Sequence, residues 1–204
     1  MHISWLGTTA VKIQTKPFDK DIVLLIDPYK PKTGAFPRNL TAQIVLYTRG
    51  DKDSITISGA PFILSIPGEC ETNGILITSA QGNKEDDVIF RIDAEEISVG
   101  HLGLANKSPS DEQLKVLSGV DILFVPVGGG AAYDAEQAIK AANAIEPRII
   151  IPMNYHSDND PKADKVNSFL KEMGAAGAKA EKKVILKKKD LPQDDTQVIL
   201  LSKE

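Results

Sequence analysis

The feature that most constrains the fold is a pair of apolar runs in the second half of the chain. The runs at 120–127 and 148–151 are rich in valine, isoleucine and leucine, and the alanine-rich segment 134–145 lies between them. Apolar runs of this length are typical of strands buried on both faces of a sheet. We therefore predict two buried strands, with a helix over 134–145 that ends before Pro147 because the residue preceding a proline disfavours helix.

The first half of the chain has a different rhythm, in which short apolar runs are separated by glycine, proline and polar turns. These runs predict strands at 3–6, 11–14, 22–26, 44–47, 62–66, 74–78, 88–92 and 97–99. The second half adds a helix opened by a capping box at 110–113, a helix over 161–173, and strands at 184–186 and 197–201. Sheets layered between outer helices give a mixed α/β, four-layer α-β-β-α sandwich, and we expect a single domain over residues 1–204.

Charge and cysteine content exclude several classes of partner and site. The 204 residues carry a net charge of −4, which favours neither nucleic acid nor an anionic membrane as a general partner. Cys70 is the only cysteine, so we expect no internal disulfide and a reducing cytoplasm. No signal peptide or membrane-spanning run is expected. The lysines within 182–189 predict a solvated edge strand that is protected by charge.

Several segments, in order along the chain, resemble one known family. They are Ile3–Ala10, Asp27-Pro28, Pro67–Ile75, Gly100–Leu104, Val120–Gly129 and Glu146–Tyr155. Together they resemble the small cytoplasmic hydrolases of the metallo-β-lactamase superfamily that are similar to ascorbate-6-phosphate lactonases. The resemblance implies the α-β-β-α sandwich and, in ordinary members of the family, hydrolysis that depends on zinc.

The family's main metal-binding loop is altered in this chain. Where the family has T-H-x-H-x-D-H after a buried strand, the histidine positions are Arg49, Asp51 and Ser54, and only Asp53 is retained. An arginine is a fixed cation at neutral pH, so it opposes the binding of a dication. The resemblance therefore implies that the usual metal site is degenerate at this loop.

The remaining family ligand positions are altered as well. Thr8 follows Gly7 where the family usually has a histidine, Leu104 replaces an aspartate that bridges two metals, and Asn154 replaces the last histidine. The chain has only three histidines, fewer than such a dinuclear zinc site uses. The resemblance thus implies a pseudoenzyme pattern in which no metal cofactor is expected, although the family norm is zinc.

Individual polar residues allow more than one role. His101 follows a strand and faces either the former metal cleft or a backbone carbonyl, and His156 is either a substitute donor or a surface residue. Glu69 is a candidate general base, or it holds a loop by hydrogen bonds. Arg49 is expected to lie in the former metal cleft and to pair with Asp51 or Asp53, because an arginine fork can satisfy a carboxylate with two hydrogen bonds.

Three hypotheses about function remain open at this point. The first is a pseudoenzyme or a binding and assembly module whose hydrolase site is degenerate. The second is a hydrolase with a rebuilt mononuclear metal site formed by Asp51, Asp53, His101 and His156. The third is a metal-free enzyme or small-ligand binder that uses the former metal cleft, where Arg49 holds an anionic group such as a phosphate or carboxylate. Neither a protein partner nor an oligomeric state is specified by the sequence.

Overall fold

Two β-sheets, packed face to face, form the body of the protein, and the computed structural model describes residues 1–204. The first sheet contains β1 (His2–Gly7), β2 (Ala10–Thr15), β3 (Ile22–Ile26), β4 (Ile44–Leu46), β5 (Phe62–Leu64) and β12 (Val184–Ile185). The second contains β6 (Gly68–Thr72), β7 (Ile75–Gln81), β8 (Val88–Ala94), β9 (Ile97–His101), β10 (Ile122–Pro126), β11 (Ile149–Met153) and β13 (Gln197–Val198). The helices are α1 (Asp111–Leu117), α2 (Ala135–Ile145) and α3 (Asn167–Glu172).

Sheet topology places two groups of parallel strands where they can form a site. The strand order is β12-β1-β2-β3-β4-β5 in the first sheet and β13-β11-β10-β9-β8-β7-β6 in the second. Strands β3, β4 and β5 run parallel, and so do β9, β10, β11 and β13. The main core of 45 buried residues includes Trp5, Phe90 and Phe124 of the two sheets and extends to helix residues such as Ala138 and Phe169.

The apolar runs of the second half form adjacent strands, as their composition predicts. Strands β10 and β11 are buried at every position and pair in parallel, with Ile122 opposite Ile149. Helix α2 connects them and buries a face of alanine against β10. Its N-cap is Asp134, whose carboxylate accepts the N–H of Gln137 in a capping box. The two buried strands and the helix between them are therefore confirmed.

The layers outside the two sheets differ from each other. Helices α1 and α2 pack on the second sheet, and α3 packs on α2. The outer face of the first sheet buries a smaller cluster around Leu25, Val45 and Tyr47. Irregular chain covers that cluster with the side chains of Tyr29, Phe36, Leu40 and Ile57. No helix in the molecule is both long and apolar enough to cross a bilayer.

Two elements differ from the sequence-based expectation. The segment Gly68–Thr72, expected as a loop, is an edge strand that pairs with β7. Its exposed Glu69 and Glu71 gave no apolar signal. The helix expected over 161–173 begins only at Asn167. The residues before it are held in a turn, because the N–H of Asp164 donates to the Gly128 carbonyl and the N–H of His156 donates to the Asp164 carbonyl.

Candidate functional site

The candidate site begins where two parallel strands of the first sheet end. Because β3 and β4 pair Ile26 with Leu46, the residues after them, Asp27 and Thr48, lie close together. The fully buried Asp27 carboxylate accepts two hydrogen bonds from Thr48, one from its N–H and one from its hydroxyl, each 2.6 Å long. Burial of this negative charge is costly unless a cation lies nearby.

Arg49 supplies the cation. Its Nη1 lies 3.9 Å from Oδ2 of Asp27, and its Nη2 donates to the hydroxyl of Thr9 at 3.5 Å. The guanidinium carbon lies 4.6 Å from the ring centroid of Tyr29, within the range of a cation–π interaction. The Arg49 side chain is 27% exposed, whereas its Nη1 atom is buried and makes no hydrogen bond. Arg49 and Asp27 therefore form a loose ion pair, in which the carboxylate is shielded from solvent and the guanidinium is partly exposed.

Tyr29 holds the backbone of the loop that carries Arg49. Its hydroxyl accepts the N–H of Arg49 at 3.0 Å and donates to the carbonyl of Gly50 at 2.9 Å. Burial, reinforced by the nearby Asp27 carboxylate, raises the pKa of Tyr29. The tyrosine therefore stays neutral and acts as a fixed hydrogen-bonding support beneath the arginine.

His101 lies at the end of β9 and joins the second sheet to this site. It is fully buried, its Nε2 lies 3.0 Å from the carbonyl of Thr9, and its Nδ1 accepts the N–H of Gly103 at 3.2 Å. These partners assign the proton to Nε2, so the ring is neutral. Burial lowers the pKa of His101, while the Asp27 carboxylate opposes that shift. The predicted contact with a backbone carbonyl is confirmed, and both ring nitrogens are engaged.

Asn154, after β11, completes this end of the molecule. Its N–H donates to the carbonyl of Thr8 at 2.9 Å. Asn154, Thr8 and Asp27 all have positive φ, at 53°, 46° and 50°. Non-glycine residues adopt this left-handed backbone rarely. The structure thus brings Thr8, Arg49, His101 and Asn154 to one end of the sandwich, through contacts that also involve Thr9.

The other candidate residues of the loop at 48–54 lie away from this cluster. Asp51 and Asp53 are exposed to solvent, and Ser54 forms an isolated bridge with Tyr29. Neither aspartate makes an ion pair, so the predicted pairing of Arg49 with Asp51 or Asp53 is replaced by the interaction with Asp27. The reason is burial, because a carboxylate in water needs no partner whereas the Asp27 carboxylate does.

The remaining candidates lie at several positions around the fold. Leu104 is half-buried and lines a small cavity beside Thr48 and Gly103. His156 is exposed on the turn after β11, and no side-chain hydrogen bond brings it to His101. Glu69 is exposed on edge strand β6, so the expected role of holding a loop by hydrogen bonds is not observed. Cys70 is a free thiol, half-buried on the same strand.

The donor set at this end does not fit a zinc ion. No group of three histidine, cysteine, aspartate or glutamate side chains is close enough to hold a metal. Both nitrogens of His101 are used by backbone groups, and both oxygens of Asp27 are used by Thr48. Arg49 also places a permanent positive charge beside the buried carboxylate of Asp27. Zinc prefers several converging imidazole, thiolate or carboxylate donors, which this cluster lacks.

Sequence reasoning missed the contributions of Thr9, Tyr29 and Thr48, and it treated Asp27 only as a framework residue. One signal was available, because Asp27 and Thr48 follow strands that proved to be parallel neighbours. Carboxyl ends of neighbouring parallel strands share one edge of a sheet. Knowledge of the strand order would therefore have placed Asp27, rather than Asp51 or Asp53, beside Arg49.

Acid is expected to destabilise the fold through His101. The pKa of His101 is lowered in the folded state, so below about pH 6.5, the usual value for an unfolded chain, the unfolded state binds more protons. The free energy of unfolding then falls as pH falls, by up to about 1.4 kcal/mol per pH unit for this one group. Above that pH the histidine is neutral in both states and contributes no slope.

Urea unfolding of the wild type and of His101→Gln, measured between pH 8 and pH 5 (roughly the window in which an imidazole titrates), checks this expectation. The variant should be less stable at neutral pH and should show a shallower acid slope. His156→Gln is the matched control, since that residue is exposed and should leave the slope unchanged. Equal slopes in His101→Gln and the wild type would contradict the assignment.

Comparison with known proteins identifies the family. Residues 2–154 match the family described as "Beta-lactamase superfamily domain". The chain is 26% identical to a UPF0173 metal-dependent hydrolase of Methanosarcina mazei, over 91% of this chain and 95% of the relative. It is 23% identical to another, from Methanopyrus kandleri, over 81% of this chain and 90% of that relative.

A solved structure agrees with these sequence matches. A protein from Thermotoga maritima, assigned to the Zn-dependent hydrolases of the metallo-β-lactamase superfamily, superposes with a TM-score of 0.82. The superposition covers 99% of this chain and all of that one, at 23% sequence identity, and it shows the shared fold. The resemblance drawn from the sequence is therefore confirmed at the level of the superfamily. The chain belongs to the beta-lactamase superfamily domain family and has the metallo-β-lactamase fold of its metal-dependent hydrolases.

Proposed function

We propose that this chain is a metal-independent member of its family, a pseudoenzyme that serves as a binding or assembly module. Its relatives are named metal-dependent hydrolases, whereas six of the family's ligand positions hold other residues here. They are Thr8, Arg49, Asp51, Ser54, Leu104 and Asn154. A single cysteine, Cys70, also favours a reducing cytoplasm as its location.

One observation carries this proposal. The guanidinium of Arg49, at the first histidine position of the metal loop, lies 3.9 Å from the buried carboxylate of Asp27 and against the ring of Tyr29. A fixed cation and a zinc ion repel each other at such a distance. The arginine thus supplies internally the positive charge that a bound metal supplies in an ordinary family member.

The two rival functions receive less support. A rebuilt metal site would need Asp51, Asp53, His101 and His156 to converge, whereas three of these are exposed and His101 is enclosed. For anion capture, the favourable feature is that Nη1 of Arg49 makes no hydrogen bond. That atom faces Asp27 and is closed to solvent, so an external anion would first have to displace the carboxylate.

Metal analysis tests the proposal. Protein produced with zinc, manganese and iron in the medium, and purified without chelator, is expected to contain far less than one metal ion per chain. Its thermal midpoint should be the same in EDTA and in added zinc, since no site links metal binding to folding. A stoichiometric metal that is lost in His101→Gln or His156→Gln would overturn the proposal and support the rebuilt site instead.

A further inference from the structure

The edge of the first sheet formed by β5 differs from the other sheet edges of this molecule because it carries no charged residue. Strand β5 is the terminal strand of its sheet and pairs only with β4. No charged residue occurs between Asp53 and Glu69, a segment that contains the whole of β5. Proteins usually protect exposed edge strands with charge, because unpaired backbone groups otherwise pair with another chain.

The other three sheet edges do carry charge. The opposite edge of the first sheet, β12, is flanked by Lys182, Lys183 and Lys187. On the second sheet, β6 presents exposed glutamates, and the segment before β13 contains Asp194 and Asp195. The unprotected edge at β5 is therefore specific to that strand.

Apolar side chains are exposed along β5 and just after it. Phe62, Ile63 and Ile66 are 38%, 52% and 64% exposed. Leu64 is half-buried against the main core, together with Cys70 of the neighbouring edge strand β6. The side of the sandwich at which β5 and β6 lie therefore leaves part of the core open to solvent.

We infer that β5 is a homodimer interface, at which the β5 strands of two copies pair across a two-fold axis. The hydrogen bonds between β5 and β4 are made by the backbone groups of Phe62 and Leu64. The N–H and C=O of Ile63 therefore point away from β4, towards the open edge. In an antiparallel pairing centred on Ile63, the two copies of this residue exchange two hydrogen bonds. The N–H of Ser65 then donates to the carbonyl of Pro61 in the other copy.

Two features select a second copy as the occupant. Pro61 and Pro67 limit the pairing window to the residues between them, since a proline cannot donate to a ladder. In a second copy, the outward N–H groups of Ile63 and Ser65 both find carbonyl acceptors within the same window, and only the Ser65 carbonyl, which lies opposite Pro61, gains no donor. The β5 strand of a second copy is also uncharged, so it matches the β5 edge in charge. This edge offers no charged group by which a charged partner could recognise it.

Sedimentation equilibrium over a range of concentrations tests the inference. The wild type is expected to have twice the 22.1 kDa mass of the chain, and Ile63→Lys is expected to have the mass of one chain. Ile185→Lys is the matched control, because Ile185 is also 52% exposed and lies on the opposite edge strand of the same sheet. This control should remain dimeric.

A second variant, Ile63→Pro, keeps the test valid if Ile63→Lys fails to fold. Ile63→Pro removes only the outward N–H, which β4 does not use, so it should fold with an unchanged far-UV circular dichroism spectrum and sediment as a monomer. A wild type that is monomeric at every concentration would overturn the inference and leave the edge to a strand of another protein. A dimer that persists in both Ile63 variants would overturn it by placing the interface elsewhere.

Discussion

Replacing Asp27 by alanine is expected to lower the free energy of unfolding by about 3–5 kcal/mol, the cost of removing one partner of a buried charge pair. The change removes the acceptor of both hydrogen bonds from Thr48, whose buried N–H and hydroxyl lose their partner. It also removes the carboxylate that faces Arg49. Urea unfolding at neutral pH measures the loss, and Asp51→Ala, on the exposed part of the loop and without positive φ, should change stability by no more than about 0.5 kcal/mol.

Arg49→Ala should cost less than Asp27→Ala, about 2–3 kcal/mol. The Asp27 carboxylate keeps its two hydrogen bonds in that variant, and Arg49 is 27% exposed, so less buried structure is disturbed. The double variant should be more stable than the sum of the two losses predicts, by about 1 kcal/mol, because each change removes the same pair. Strictly additive losses would show that the two charges do not interact.

Replacing Gly128 by alanine is expected to lower the free energy of unfolding by about 3 kcal/mol, at the upper end of the cost of overpacking. A Cβ atom at this position would lie 1.9 Å from the carbonyl oxygen of Asn154 and 3.0 Å from the Cβ of Ala163. The first of these contacts is with backbone, so the turns after β10 and β11 would have to separate. The contacts of Asn154 with Thr8 would be disturbed by the same movement.

Thermal and urea unfolding of Gly128→Ala measure this loss. Gly177→Ala is the control, because a Cβ there meets nothing within 4 Å and the backbone does not have positive φ. That control should be neutral or slightly stabilising, since alanine restricts the unfolded chain. Equal stability of the two variants would mean that the turns at this end are less tightly packed than the structure indicates.

Much of the fold could be predicted from the sequence because burial leaves a clear pattern. The run at 120–127 and the capping box at 110–113 identified β10 and the start of α1 directly. Strand β6 was missed because it lies at an edge, where alternate glutamates face solvent and no apolar run is needed. The helix α3 was predicted too long because helical composition at 161–166 is overridden by hydrogen bonds to the turn at Gly128.

The candidate site was less predictable than the fold, because its contacts join residues that lie far apart along the chain. The sequence identified Arg49, His101 and Asn154 as positions of interest, and these lie at one end of the sandwich. It did not identify the partner of Arg49, because Asp27 lies on another strand and only the strand order brings it close. Local pattern reports which face a residue occupies, whereas ion pairs between strands depend on topology.

The unequal covering of the two sheets has a consequence for motion. Strand β10 lies behind helix α2 and pairs in parallel with both β9 and β11, so we expect its backbone amides to exchange with solvent only when the whole fold opens. The amides of β3 and β4 lie behind irregular chain rather than a helix, so we expect them to exchange through local opening of that chain. The loop that carries Arg49 follows β4, whereas His101 is the last residue of β9, which pairs with β10. Hydrogen exchange is therefore expected to show that the two halves of the candidate site open with different free energies.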